Sequence, residues 1–221
     1  MIVMAMFPLN IRSREVRADL IDSQRLHMRI MGMFAGVARD QNRVLYRVDG
    51  TENEPALLVQ SEVLPNTQVF PQGYLRGAGR IRDDLQEPFA QITNGQRLRF
   101  RLRANVTKKK FATQQQNNGK RIAITDAVAQ MEWLVRKGGQ SGFALIPDPF
   151  AVDGYAVTVI DEGRDKGLRR QGDSINTLTH YAIRFEGLLE VTDSSKFYDA
   201  LVHGIGSAKA YGCGLLSVAL P

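Results

Sequence analysis

Arg97-Leu98-Arg99-Phe100-Arg101-Leu102-Arg103-Ala104 alternates positive charge with apolar bulk without a break. Successive side chains of a strand point to opposite faces, so this stretch encodes a strand with Leu98, Phe100, Leu102 and Ala104 in a core and four arginines on the other face. Downstream of it, Lys108, Lys109, Lys110 and residues 114–119 read as a basic polar loop. Thr125 then caps a helix carrying Val128, Met131, Leu134 and Val135 on one side, ended by Arg136, Lys137 and Gly138, with Met131 and Trp133 read as core. Residues 155–160 and 181–189 read as strands around a charged excursion over 161–176, and a helix over 194–203 leads to a closing strand over 215–220. The order strand, helix, strand, strand, helix, strand is that of a ferredoxin-like unit.

Toward the N-terminus the same order begins once before. Residues 2–9 read as a buried strand, and Arg12, Arg14, Arg17 and Asp19 as an exposed connection. Asp22 or Ser23 caps a helix bearing Leu26, Ile30, Met33, Phe34 and Val37, and strands over 43–48 and 55–61 are joined by turn residues 49–53. Residues 63–91, with Pro65, Pro71, Gly73, Gly77, Gly79 and Pro88, read as irregular or linker-like. The expectation is an α+β protein of two tandem ferredoxin-like (RRM-like, βαββαβ) domains, one over 1–90 and one over 95–221.

At 221 residues and 43% hydrophobic content, the chain has material for two small cores. It contains no apolar run near the roughly 18 residues that span a bilayer and no basic signal-peptide start, so a cytoplasmic protein without a membrane partner is expected. Cys213 is the only cysteine, and His27, His180 and His203 show no metal-ligand spacing, so neither a metal nor another cofactor is expected. A net charge of +6 and a pI near 9.6 suit nucleic acid, although charge alone does not single it out.

Four features carry candidate chemistry. Gly204, Gly206, Gly212 and Gly214 fall within eleven residues, a density that suggests a binding loop, with Lys209 and Tyr211 as its contacts to a polyanion. Arg97, Arg99, Arg101 and Arg103 follow the phosphates of an extended strand or, equally, form a solvated outer face or an interdomain surface; Lys108, Lys109, Lys110, Lys120 and Arg121 add charge beside them. The excursion bearing Arg164, Lys166, Arg169 and Arg170 is a hairpin tip that enters a groove, or simply a loop. His27 lies one residue beyond core-facing Leu26 and between Arg25 and Arg29, a setting for a structural histidine or for acid–base work on a phosphodiester. Cys213, between glycines, reads as a small buried residue.

Leu9-Asn10 with Arg12-Ser13-Arg14, Asp19-Leu20 and Leu26-His27 resemble the N-terminal signature of the CasE-type CRISPR RNA endoribonucleases of subtype I-E. The strand Leu98 to Asn105 with Thr107-Lys108-Lys109, then Gly119-Lys120-Arg121, Phe185-Glu186-Gly187 and the glycine loop, extend the resemblance in the same order along nearly the whole chain. It implies tandem ferredoxin-like domains and a metal-independent cut at the repeat stem-loop of precursor CRISPR RNA, by attack of a ribose 2'-hydroxyl that leaves a 2',3'-cyclic phosphate and a 5'-hydroxyl. It also implies retention of the mature crRNA beside the other subunits of the type I-E surveillance complex. His27 falls on the family's catalytic histidine. Gln24 stands where members often carry tyrosine, and Met28 where they carry a basic residue, so Gln24 and Arg29 are candidate substitutes at the site and Arg25 a candidate RNA contact. Those departures keep open a non-catalytic RNA-binding scaffold. A small-anion-binding regulatory domain explains the glycine loop but not the arginine strand.

Overall fold

The computed structural model describes residues 1–38, 40–110, 120–171 and 174–221, and the loop expected over 114–119 lies outside them. In chain order the first part comprises β1 (Val3–Pro8), α1 (Arg14–Ile21), α2 (Ser23–Gly32), β2 (Leu45–Gly50), β3 (Pro55–Ser61), β4 (Arg80–Arg82) and α3 (Gln86–Ala90). The remainder comprises β5 (Arg97–Asn105), β6 (Thr107–Lys110), β7 (Lys120–Ala123), α4 (Ala127–Gln140), β8 (Phe143–Leu145), β9 (Val157–Gln171), β10 (Ser174–Val191), α5 (Ser194–His203) and β11 (Leu216–Ala219). One sheet has the order β2-β3-β1-β4 and the other β11-β5-β10-β8, antiparallel throughout. Each places its first strand between its third and fourth, with the second at the far edge, which is the ferredoxin-like arrangement in tandem.

The alternation in β5 works as its sequence dictates. Leu98, Phe100, Leu102 and Ala104 are buried, and Leu102 lies opposite Phe185 of β10, both fully enclosed. Burying one such side chain stabilises by about 1.5–3 kcal/mol. Trp133 stacks on Phe185 at 6.2 Å between ring centroids, so Met131 and Trp133 belong to the core as expected. The first sheet's core gathers Phe7, Leu26, Ile30, Met33, Tyr46, Leu57 and Tyr74.

Several local expectations are corrected. The supposed exposed connection is helix α1, which buries Val16 and the carboxylate of Asp19. That burial is tolerated because Tyr74 Oη donates to Asp19 at 2.9 Å and Arg25 and Arg29 pair with it at 3.2 and 2.9 Å. Asp22, not Ser23, caps α2, and the helix stops at Gly32, before Met33 and Phe34 turn into the core. Asp126 replaces Thr125 as the cap of α4, on which Val128 and Val135 are exposed. The sequence reading missed β8, which forms the edge of the second sheet.

Two segments read as loops are strands. Lys108 and Lys109 lie on β6, which pairs with β7 as a hairpin opposite Ile122 and Arg121. The charged excursion continues β9 and β10 as one ribbon, paired from Val157–Gly187 out to Gln171–Ser174 with a register shift between Ala182 and Ile183. Residues 63–91 are not a bare linker. They form a 3-10 turn (Thr67–Val69), β4 and α3, and Phe70 stacks on Tyr74 and meets Phe7 edge-on. No helix among the described residues is long and apolar enough to cross a membrane.

Candidate active site and nucleic-acid interface

The site is assembled where the N-terminal end of α2 meets the β9–β10 ribbon and the glycine loop. Asp22 Oδ1 accepts from the backbone N–H of Gln24 and Arg25 at 2.9 and 3.4 Å, satisfying the open end of the helix, and also from Leu168 N of β9 at 3.2 Å. One carboxylate thus caps the helix and docks it to the ribbon. The approach is close: a Cβ on Gly167 would stand 2.6 Å from Ser23 Oγ and 3.0 Å from Gln24 N, so only glycine fits there.

Gln24 and His27 are three residues apart on α2 and therefore share a face. Tyr211 meets both, donating from Oη to Gln24 Oε1 at 3.1 Å with its ring 5.7 Å from that of half-buried His27. The Tyr211 ring also stacks on His180 of β10 at 4.5 Å and 21°. Burial, reinforced by the Arg103 charge and opposed by Asp165, holds His180 below the usual imidazole range, so it is neutral at pH 7 and presents an uncharged ring. Tyr211 itself is fixed by a 3-10 turn (Lys209–Tyr211) whose Ala210 carbonyl accepts from Tyr46 Oη of β2 at 2.8 Å. Tyr211 therefore serves the histidine site directly, beyond the polyanion contact expected for it.

The glycines of the loop also meet local backbone demands. Gly214 adopts φ +91°, and a Cβ there would lie 2.7 Å from Ile205 O, in the turn closed by Ile205 N donating to Gly214 O at 2.9 Å. Gly212 and Gly214 are buried, as is Cys213, whose thiol burial pushes up to about 12. Gly204 and Gly206 are half-buried, and Gly206 lies on the edge of Trp133.

The arginine row is also corrected. Arg103 is 13% exposed at its side chain and pairs with Glu162 and Asp165, each at 2.6 Å. Arg101 pairs with Glu186 at 2.9 Å and with Asp49 of β2 at 3.4 Å. Arg101 fits the interdomain alternative, Arg103 pairs with β9 of its own domain, and Arg99 alone of the three is exposed. Beside them Arg47, 2% exposed and unremarked in the sequence, pairs with Asp49 at 2.7 Å and donates to Leu215 O and Ser217 Oγ of the second sheet, each at 3.1 Å. Arg25 and Arg29 are likewise committed, to Asp19 and Glu15, and Arg29 lies over the Tyr74 ring at 5.2 Å. Arg29 is therefore a clamp between α1 and α2 instead of a charge beside His27.

Arg164 and Lys166 are exposed at alternate positions of β9, and Lys108, Lys109 and Arg121 are exposed on the β6–β7 hairpin. The side chains of Lys110, Lys120, Arg169 and Arg170 lie outside what is described. Half-buried Lys209 donates to His203 O at 2.8 Å. Among the described residues no three His, Cys, Asp or Glu side chains gather as a metal site requires. Sequence reasoning missed His180, and nothing local links it to Tyr211, because only the pairing of β10 with β5 and the path of the glycine loop bring them together.

Residues 4–219 match the family model described as CRISPR associated protein. The chain is 32% identical over 217 residues, 96% of each sequence, to the CRISPR-associated endoribonuclease Cse3 of Thermus thermophilus. A solved structure of Thermus thermophilus Cse3, bound to an RNA representing a pre-cleavage complex, superposes with a TM-score of 0.79 at 30% identity, covering 99% of this chain and 98% of that one. The chain is also 30% identical over 135 residues to the Escherichia coli Cascade subunit CasE, covering 58% of this chain and 61% of that protein.

Proposed function

This chain belongs to the CRISPR associated protein family, and from that premise we propose that it is a repeat-specific endoribonuclease that matures CRISPR RNA. It cleaves the repeat stem-loop of the precursor and keeps the crRNA as a subunit of a type I-E surveillance complex in the cytoplasm. The observation that carries the reading is the packing of His27 against Tyr211, with Tyr211 in turn bonded to Gln24 and stacked on His180.

The chemistry follows from those groups. Attack of a 2'-hydroxyl on the adjacent phosphorus releases one proton and must deliver one to the departing 5'-oxygen, leaving a 2',3'-cyclic phosphate and a 5'-hydroxyl. No metal is required if an imidazole handles one of these transfers and hydrogen-bond donors meet the charge on the phosphate. His27 is assigned to the proton transfer. Gln24 Oε1 is occupied by Tyr211, so its amide N–H groups remain for a non-bridging phosphate oxygen. Tyr211 thereby supplies, from the glycine loop, the aromatic ring absent at position 24 of the helix. The exposed Arg164 and Lys166 on the ribbon meet the backbone of the stem, which A-form RNA presents in place of a readable major groove.

The test is cleavage of the organism's own repeat hairpin in EDTA. Wild type should cut at one position in a single turnover, and His27→Ala should bind the hairpin with unchanged affinity and cut at least 100-fold more slowly. Cutting by His27→Ala at the normal rate removes the assigned mechanism. Wild-type binding without any cut leaves the scaffold role instead.

A further inference from the structure

The glycine loop, through residues other than Tyr211, lines a depression of about 560 Å³ into which Lys108, Lys109, Arg121, Arg136, Lys137 and Lys209 converge. They come from β6, β7, α4 and the loop itself, elements that have no common sequence motif. Among the described residues no carboxylate lines the depression and none of the six cations forms an ion pair. Arg136 and Lys137 read in sequence merely as charges ending a helix.

We propose that this pocket holds the backbone of the single-stranded RNA flank adjoining the cut, at phosphates beyond the one that His27 attacks. The inference rests on the ribonuclease reading and extends it to a second anchoring point. Like charges gathered this closely repel one another, and folding places nothing negative among them, so a polyanion is the partner that relieves the repulsion. Burial, followed by the Arg136 and Arg121 charges, lowers Lys137. Burial, followed by Arg43 and Lys137, brings Lys209 down to about 8.

The shape favours a strand over a duplex. A depression of this volume, walled by Trp133 and the loop backbone, admits a nucleotide or two but not a double helix. The loop also supplies the route. Ser207 lines the pocket and Tyr211 touches His27, and four residues reach at most about 14 Å, the span of a few nucleotides. A strand held at the pocket is thus delivered along the loop to the histidine.

Arg136 is exposed and Lys137 half-buried on α4, and neither belongs to its buried face, so the double variant Arg136→Gln with Lys137→Gln should fold normally, which circular dichroism and melting verify. In a His27→Ala background, fluorescence anisotropy would compare the trimmed hairpin with hairpins carrying six added nucleotides on the 5' or on the 3' side. The double variant should lose about tenfold in affinity for one flanked hairpin and less than twofold for the trimmed one. Its salt dependence on that flanked RNA should be shallower by about 1.4, two single-strand phosphate contacts. The flank that responds identifies the side bound. Equal losses on trimmed and flanked RNA would place the pocket on the stem and overturn the proposal, as would no loss on any of the three. Wild type that neither binds nor cuts the hairpin would instead fail the ribonuclease reading, and this inference with it.

Discussion

Along β5, Arg101 and Arg103 reach the carboxylates of Asp49, Glu186, Glu162 and Asp165, whereas around the pocket Arg121, Arg136, Lys137 and Lys209 pair with no carboxylate among the described residues. Both regions are built from the same residue types, and the more regular of the two in sequence is the one that folding neutralises. A row of arginines on a strand is spatially fixed, so acids can evolve in register against it, on the neighbouring strand as with Glu186 of β10 and on the other sheet as with Asp49 of β2. Cations drawn from four separate elements have no such partner surface, and their charge stays available. Counter-charges, more than the number of cations, separate an interface from a binding site.

The sharpest way to break this comparison is at the neutralised end. Arg47→Ala should cost about 3–5 kcal/mol in urea unfolding, since it removes the bidentate partner of partly buried Asp49, which keeps only the longer contact to Arg101, and a donor to the Leu215 carbonyl. Burial alone would raise the Asp49 carboxyl, but Arg47 and Arg101 outweigh it and hold it below the ordinary carboxylate range. Its contribution is therefore present above the unfolded-state value and lost as pH falls through the lower folded one, so the wild type should lose more stability than the variant on acidification. A loss below 1 kcal/mol would show that the two sheets do not depend on this pair.

Arg103→Met should have the next largest effect, about 1–3 kcal/mol, because Glu162 and Asp165 lose their partner while the arginine's apolar stem is replaced. Two further readouts distinguish an interface residue from an RNA contact. The salt slope of RNA binding should not change, and by NMR the imidazole of His180 should titrate higher, since the Asp165 charge that raises it is no longer opposed by Arg103. A slope shallower by nearly one unit would return Arg103 to the phosphate contacts.

What could be read from the chain follows the same division. The period-two pattern of β5, the apolar faces of α2 and α5, and the β2–β3 hairpin were legible because each is a local rule expressed within one element. Helix α1 was not, since its central Asp19 looks exposed until Arg25, Arg29 and Tyr74 are placed around it. The β9–β10 ribbon was mistaken for an excursion with a loop's composition, because a two-stranded arm with Arg164 and Lys166 facing solvent has no core to impose an apolar alternation. At the site, His27, Gln24 and Tyr211 could be named singly. Their contact could not, because it depends on a loop from one end of the chain closing on a helix from the other.

The mildest perturbation addresses the un-neutralised end through pH. Lys209 is surrounded by Arg43 and Lys137, with Arg136, Arg121, Lys108 and Lys109 across the pocket and the His203 carbonyl as its one hydrogen-bond acceptor. With a value near 8 in the free protein, it is charged at pH 7 and mostly neutral at pH 9. An RNA phosphate favours the charged form, so the bound protein must hold the proton to higher pH, and affinity must fall as pH rises through 8. If binding restores the ordinary lysine value, the fall between pH 7 and pH 9 is about tenfold for flanked RNA. Lys209→Arg keeps its charge over that range and should flatten the profile, while any contribution from the RNA bases remains in both proteins and cancels in the comparison. Identical profiles for wild type and Lys209→Arg would mean that Lys209 meets no phosphate, and the pocket would then end at α4 and the β6–β7 hairpin.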